Sequence, residues 1–150
     1  MTGPHASDSL TINTHYTLSK TLSVNKFHLI FLLIQSLLFS SDPHIGLISS
    51  GVGSISNNSS DSSSAYYYSK AALNSVGESL AMDLEEKGVI VVLMHLGYVN
   101  TGLDSNGKTH LMSEAVEPKE AARKLWRMLM SNGIEDTGMF WHSEGMNLAW

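Results

Sequence analysis

One stretch limits what this chain can fold into more than any other: residues 45–73, IGLISSGVGSISNNSSDSSSAYYYSKAAL. Residues 45–48 are apolar without alternation, as in a strand covered on both faces. Asp42 and Pro43 make the turn that leads in. A Ser- and Asn-rich segment follows at 57–64, and polar loops of this kind run over surfaces. We read it as a solvated insertion rather than a flap over a site. Across residues 66–87, Leu73, Val76, Leu80 and Leu84 recur at three- and four-residue spacing, the period of a helix. Gly88 is placed to end that helix. Residues 89–94, VIVVLM, form a second unbroken apolar run. Strand, helix and strand in this order predict a right-handed βαβ crossover with parallel strands. Ligands of such sheets bind beyond the carboxyl ends of the strands. Here that edge carries Ser50 and residues 97–101.

Tyr66 and Lys70 are four apart and share one face of the predicted helix. An ammonium beside a phenol favours the phenolate. The pair is therefore a candidate proton donor near neutrality, the property that acid catalysis needs. Ser50, at the end of the first strand, is placed to point a hydroxyl into the same space. The spacing alone is unspecific, because Tyr16 and Lys20 repeat it. That second pair follows no strand and has no serine in register, so we read it as a decoy. Gly51 and Gly53 suggest a dinucleotide fingerprint, but Ser56 stands where the third glycine belongs and no helix follows at once.

At 150 residues the chain is one domain by length. Its 43% hydrophobic and 15% charged residues suit a globular protein. A net charge of -5 argues against a nucleic-acid partner, which requires a basic face. With no cysteine, disulfides and thiolate metal sites are excluded, which fits a reducing, cytoplasmic setting. The seven histidines are scattered in sequence and predict no metal site. The polar start at 1–24 lacks the basic and then apolar order of a secretory signal. Residues 25–40 are the most apolar stretch, yet they fall short of the ~20 residues of a bilayer span, so a buried helix is expected and no membrane partner. Asn25 stands at its start, where Asn favours capping. Toward the end of the chain, Pro118 opens a helix with Ala122, Leu125 and Leu129 on its apolar face and Gly133 beyond its end. Residues 139–141 read as a last short strand.

The run L-I-S-S, a loop, Y-x-x-S-K-A-A-L-N and, one helix and strand later, G-Y-V-N-T resembles the short-chain dehydrogenase/reductases. The chain looks closest to their C-factor-like or sniffer-like carbonyl reductases, over residues 22–150. The resemblance implies an α/β fold: the C-terminal part of a Rossmann-type doubly wound parallel sheet in three layers. It implies an oxidoreductase that acts on a carbonyl or alcohol with NADP or NAD. In that reading Tyr66 is the acid/base, and Lys70 supports it and holds the nicotinamide ribose. Ser50 orients the carbonyl in preference to Ser49, and Asn25 holds a water in the proton relay. Gly97, Val99 and Thr101 meet the nicotinamide carboxamide, although Leu96 replaces the usual proline and frees a fixed φ. Residues 102–116 correspond to the substrate loop, and SEGMNLAW to the terminal turn and closing tryptophan. The family's glycine-rich turn and the Asn-Asn-Ala-Gly run are absent from this sequence. The resemblance therefore implies weak cofactor binding and an exposed apolar sheet edge. The competing expectation is a non-catalytic protein that pairs with itself or with a full-length relative through the helices at 25–40 and 66–87.

Overall fold

The computed structural model describes residues 40–57, 64–101 and 114–150. Residues 25–39 of the apolar run at 25–40, Asn25 among them, the Tyr16 and Lys20 pair, and residues 58–63 and 102–113 of the two polar segments lie outside the described residues.

The elements follow in the order β1 (His44–Ser49), a 3-10 turn (Gly51–Gly53), α1 (Ser64–Glu85), β2 (Ile90–His95), α2 (Pro118–Ser131), a second 3-10 turn (Ile134–Asp136) and β3 (Phe140–His142). Among the described residues three strands form one sheet in the order β1-β2-β3, and both neighbouring pairs are parallel. The expected α/β crossover from β1 through α1 to β2 is present. β1 and β2 reach further into polar sequence than their apolar runs. Their ladder pairs His44 with Ile90 at one end and Ser49 with His95 at the other, so hydrogen bonding carries each strand past its last hydrophobic residue. β3 lies one residue later than expected because its register sets Phe140 against Leu93 and His142 against His95.

Alternation along the strands divides the core between two faces. Ile45 and Leu47 of β1, Val91 and Leu93 of β2 and Phe140 of β3 pack with Leu73, Leu80, Ala81 and Leu84 of α1. The opposite face carries Met94, Leu125 and Met128, with Leu96, Leu129 and Trp141 packed against them. The result is the three-layer α/β/α arrangement. α1 ends in a Schellman turn: Val89 N–H bonds the Leu84 carbonyl at 3.3 Å and Gly88 N–H the Glu85 carbonyl at 2.9 Å. Gly88 sits at φ +72, which explains the glycine there.

α2 corrects one expectation. Its buried residues are Ala121, Leu125 and Met128, and Ala122 faces out. Both alanines fit a helical period, so the roll of the helix is decided by what it meets. The flexible Met128 fills the space beside Met94. Leu129 stays partly buried over Gly46, where a Cβ would come within 3.3 Å of its Cδ2. Among the described residues no helix is long and apolar enough to cross a membrane.

Phe140 is 1% exposed in the larger core cluster. Phe140→Ala is expected to destabilise the fold by about 3–5 kcal/mol, read as a lower denaturant midpoint with an unchanged slope.

Candidate active site

Because the β1–β2 ladder runs out at the pair of Ser49 and His95, the chain leaves both strands at the same edge of the sheet. At that edge the two adjacent serines part. Ser49 is 3% exposed and donates its hydroxyl to Oδ1 of Asn74 on α1. Ser50 is extended at φ -149 and ψ 146 and opens the 3-10 turn, and its side chain makes no capping bond to that turn. The turn is closed by Gly53 N–H to the Ser50 carbonyl at 2.8 Å. Strand alternation thus spends one hydroxyl inside the fold and leaves the other at the edge.

Gly53 brings the turn onto α1. A Cβ at this position would stand 2.8 Å from the carbonyl carbon of Lys70, so only glycine allows the approach. Lys70 then ties three parts together. Its Nζ donates to the Ile48 carbonyl at 3.1 Å, and it lies 5.7 Å from the centroid of the Tyr66 ring. That distance is within the reach of a cation–π contact. Burial holds the Lys70 amine below its ordinary pKa. Tyr66, one helical turn earlier, remains 42% exposed, so its ring is open to a ligand. Ser69, fully buried, donates to the Tyr66 carbonyl at 2.7 Å and tightens this turn of α1.

Gly97, Val99 and Thr101 lie on the segment that leaves β2. Gly97 has φ +74, a left-handed conformation suited to glycine. Val99 forms a parallel bridge with Val116. Asn100 N–H bonds the Val116 carbonyl at 2.9 Å, and Val116 N–H bonds the Tyr98 carbonyl at 3.0 Å. The Leu96 carbonyl accepts from Ser143 Oγ at 2.9 Å. These bonds hold the turn that lacks the proline. Thr101 is exposed, and its N–H bonds the Val99 carbonyl at 2.9 Å. Asn25 lies outside the described residues.

A pair of histidines joins the two halves of this edge, and the sequence reading missed it. The rings of His95 and His142 meet edge to face, 5.0 Å between centroids. A Cβ on Gly51, next to Ser50, would be 3.4 Å from the His95 ring, and one on Gly97 would be 3.5 Å from His142 Nε2. His142 Nδ1 accepts from Glu144 N–H at 3.2 Å. The register of β2 against β3 brings together two histidines distant in sequence, and only that register could have revealed them. They line a cavity of about 450 Å³ with Leu96, Tyr98, Val116 and Met146. Among the described residues no group of three or more possible ligands could hold a metal ion.

The short chain dehydrogenase family model matches residues 7–111. A 1-hydroxy-2-glutathionyl-2-methyl-3-butene dehydrogenase of Rhodococcus sp. (strain AD45) is 34% identical over 113 residues, which cover 75% of this chain and 49% of that protein. The C-signal protein of Myxococcus xanthus is 29% identical over 103 residues, covering 69% of this chain and 58% of its own length. The chain thus spans about half the length of the curated relatives it matches. Among solved structures, the carbonyl reductase Sniffer of D. melanogaster superposes with a TM-score of 0.74 at 28% identity, over 90% of this chain and 58% of that one. The fold is shared with an NADPH-bound carbonyl reductase from chicken fatty liver, at a TM-score of 0.72 and 24% identity over 90% of this chain and 57% of the other.

Burial, followed by the charge of His142, pushes the His95 pKa down to about 4 from 6.5. The folded state therefore disfavours protonated His95. As pH falls from 6.5 toward 4 the unfolded chain takes up the proton first, so stability drops across this window. His95→Gln is expected to flatten that part of the stability–pH curve, measured by denaturant unfolding at a series of pH values.

Proposed function

The chain belongs to the short-chain dehydrogenase family, and on that premise we propose that it is an oxidoreductase interconverting a carbonyl and an alcohol with a nicotinamide cofactor. The observation that carries the reading is the placement of Lys70, bonded to the Ile48 carbonyl near the end of β1 and lying by the Tyr66 ring. Tyr66 is the acid/base, giving a proton to the carbonyl oxygen during reduction and taking it back during oxidation. Ser50 orients that oxygen from the strand end. Lys70 keeps a cation beside the aromatic ring and reaches toward the ribose.

The residues present fit the nicotinamide end of NADP or NAD. Gly97, with no side chain at φ +74, and the bonded turn through Val99 to Thr101 offer backbone and hydroxyl groups to a carboxamide. When bound, the nicotinamide supplies or accepts the hydride. For the dinucleotide's pyrophosphate, the Gly51–Gly53 turn is a poor match, because it packs on Lys70 instead of opening a helix. Weak cofactor affinity follows. The cavity of about 450 Å³ beside the turn, walled by Tyr98, Val116 and Met146 with Glu114 and Glu144, suits a small carbonyl compound that has both apolar and polar parts.

A second reading is favoured by one observation. Tyr68, Ser75 and Met82 of α1 recur every seven residues and are all exposed. This stripe is the α1 part of the surface through which the chain would pair with itself or with a full-length relative. Light scattering of the chain alone and mixed with such a relative would register that pairing as a rise in mass.

Titration with NADPH or NADH, followed by nicotinamide and tryptophan fluorescence, tests the enzymatic reading. Saturable binding is expected, and its absence at millimolar cofactor would contradict it. Tyr66→Phe is expected to lose turnover by about 10²-fold or more without unfolding; reduction at the wild-type rate would remove Tyr66 from its role.

A further inference from the structure

Tyr66, Lys70 and Asn74 follow at intervals of four and form one stripe along α1. The first two serve the chemistry proposed above. The third meets Ser49, the neighbour of Ser50, inside the fold: both residues are 3% exposed, and Ser49 Oγ donates to Asn74 Oδ1. We propose that Asn74 is a positioning residue, which through its bond to Ser49 fixes the roll and axial register of α1 on the end of β1 and so sets Tyr66 and Lys70 against Ser50. This inference rests on the enzymatic reading of those three residues.

Three observations carry it. First, the amide stem is short. Lys70 also bonds β1, at the Ile48 carbonyl 3.1 Å away, but through a four-carbon chain that tolerates displacement. Asn74 reaches β1 through two torsions and is enclosed, so it transmits position stiffly. Second, the bond lies between two close approaches that already hold α1. Gly53 would place a Cβ 2.8 Å from the Lys70 backbone, and Gly77 would place one 2.8 Å from the Leu93 side chain. Residue 74 falls between these points, where a polar contact selects one register from those that apolar packing alone would tolerate. Third, Asn74 is an expensive choice for mere packing. Its Nδ2 is buried and has no partner among the described residues. An apolar residue of similar shape would avoid that orphaned donor. Local rules are broken in this way chiefly where function requires it.

The test uses a pair of variants with equal shape and unequal chemistry. Ser49→Thr and Ser49→Val add the same volume at the same buried position, and only Thr keeps the hydroxyl. Ser49→Val is expected to lower kcat by about tenfold or more relative to Ser49→Thr, with cofactor Kd within about twofold. Asn74→Leu exchanges the orphaned Nδ2 for an unpaired Ser49 hydroxyl, so it is expected to fold and to lose turnover alike. Equal kcat for the Thr and Val variants, or full turnover in Asn74→Leu, would overturn the proposal. Should the wild-type chain itself show no turnover, the enzymatic reading fails by its own test, and amide hydrogen exchange at Gly53 decides the positional claim. That N–H bonds the Ser50 carbonyl at 2.8 Å. Faster exchange in the Val variant than in the Thr variant supports the register role, and equal exchange refutes it.

Discussion

A single half-buried amine determines how the rest of the edge is arranged. Lys70 leaves α1, donates to the Ile48 carbonyl at 3.1 Å and passes the face of Tyr66. An ammonium withdrawn from water needs compensation, and here a carbonyl dipole and an aromatic quadrupole supply it. The helix can meet that requirement only if it lies close against the strand end. Gly53 allows the turn after Ser50 to touch the helix backbone, and Ser49 and Asn74 lock the contact beneath. Placement of the proposed catalytic residues and packing of the helix are thus the same problem in this fold.

The edge has two halves with different anchors. On the α1 side stand Ser50, Tyr66 and Lys70. On the β2 side stands the segment from Gly97 to Thr101, tied to Val116 by backbone bonds and to Ser143 through the Leu96 carbonyl. His95 lies between, against Gly51 on one side and His142 on the other. Its low basicity follows from this enclosure. The neutral His95 ring thus faces the cavity that Leu96, Tyr98 and Met146 also line, with Glu114 and Glu144 on the same wall.

Much of this was legible in the sequence because the decisive signals are local. Unbroken apolar runs at 45–48 and 89–94 marked buried parallel strands, and a clean 3.6-residue period marked α1. The motif Y-x-x-S-K-A-A-L-N carried the family. What was not legible depends on partners. Ala121 and Ala122 are equally good on a helical wheel, and only the packing of α2 on the sheet, through Leu125 and Met128 against Met94, chooses between them. The histidine pair needs the β2–β3 register. The buried bond of Ser49 needs the alternation of β1 set against the roll of α1, which neither sequence segment contains alone.

The central claim is that Lys70 is enclosed between β1 and Tyr66 rather than free in solvent. An NMR titration of lysine side chains in the wild-type protein, with Lys70 assigned by its absence from Lys70→Arg, addresses this directly. The account predicts that the Lys70 amine titrates below 10.5, the ordinary value, apart from the exposed lysines. Titration at or above 10.5 together with the others would place the amine in water and contradict the arrangement on which the site depends.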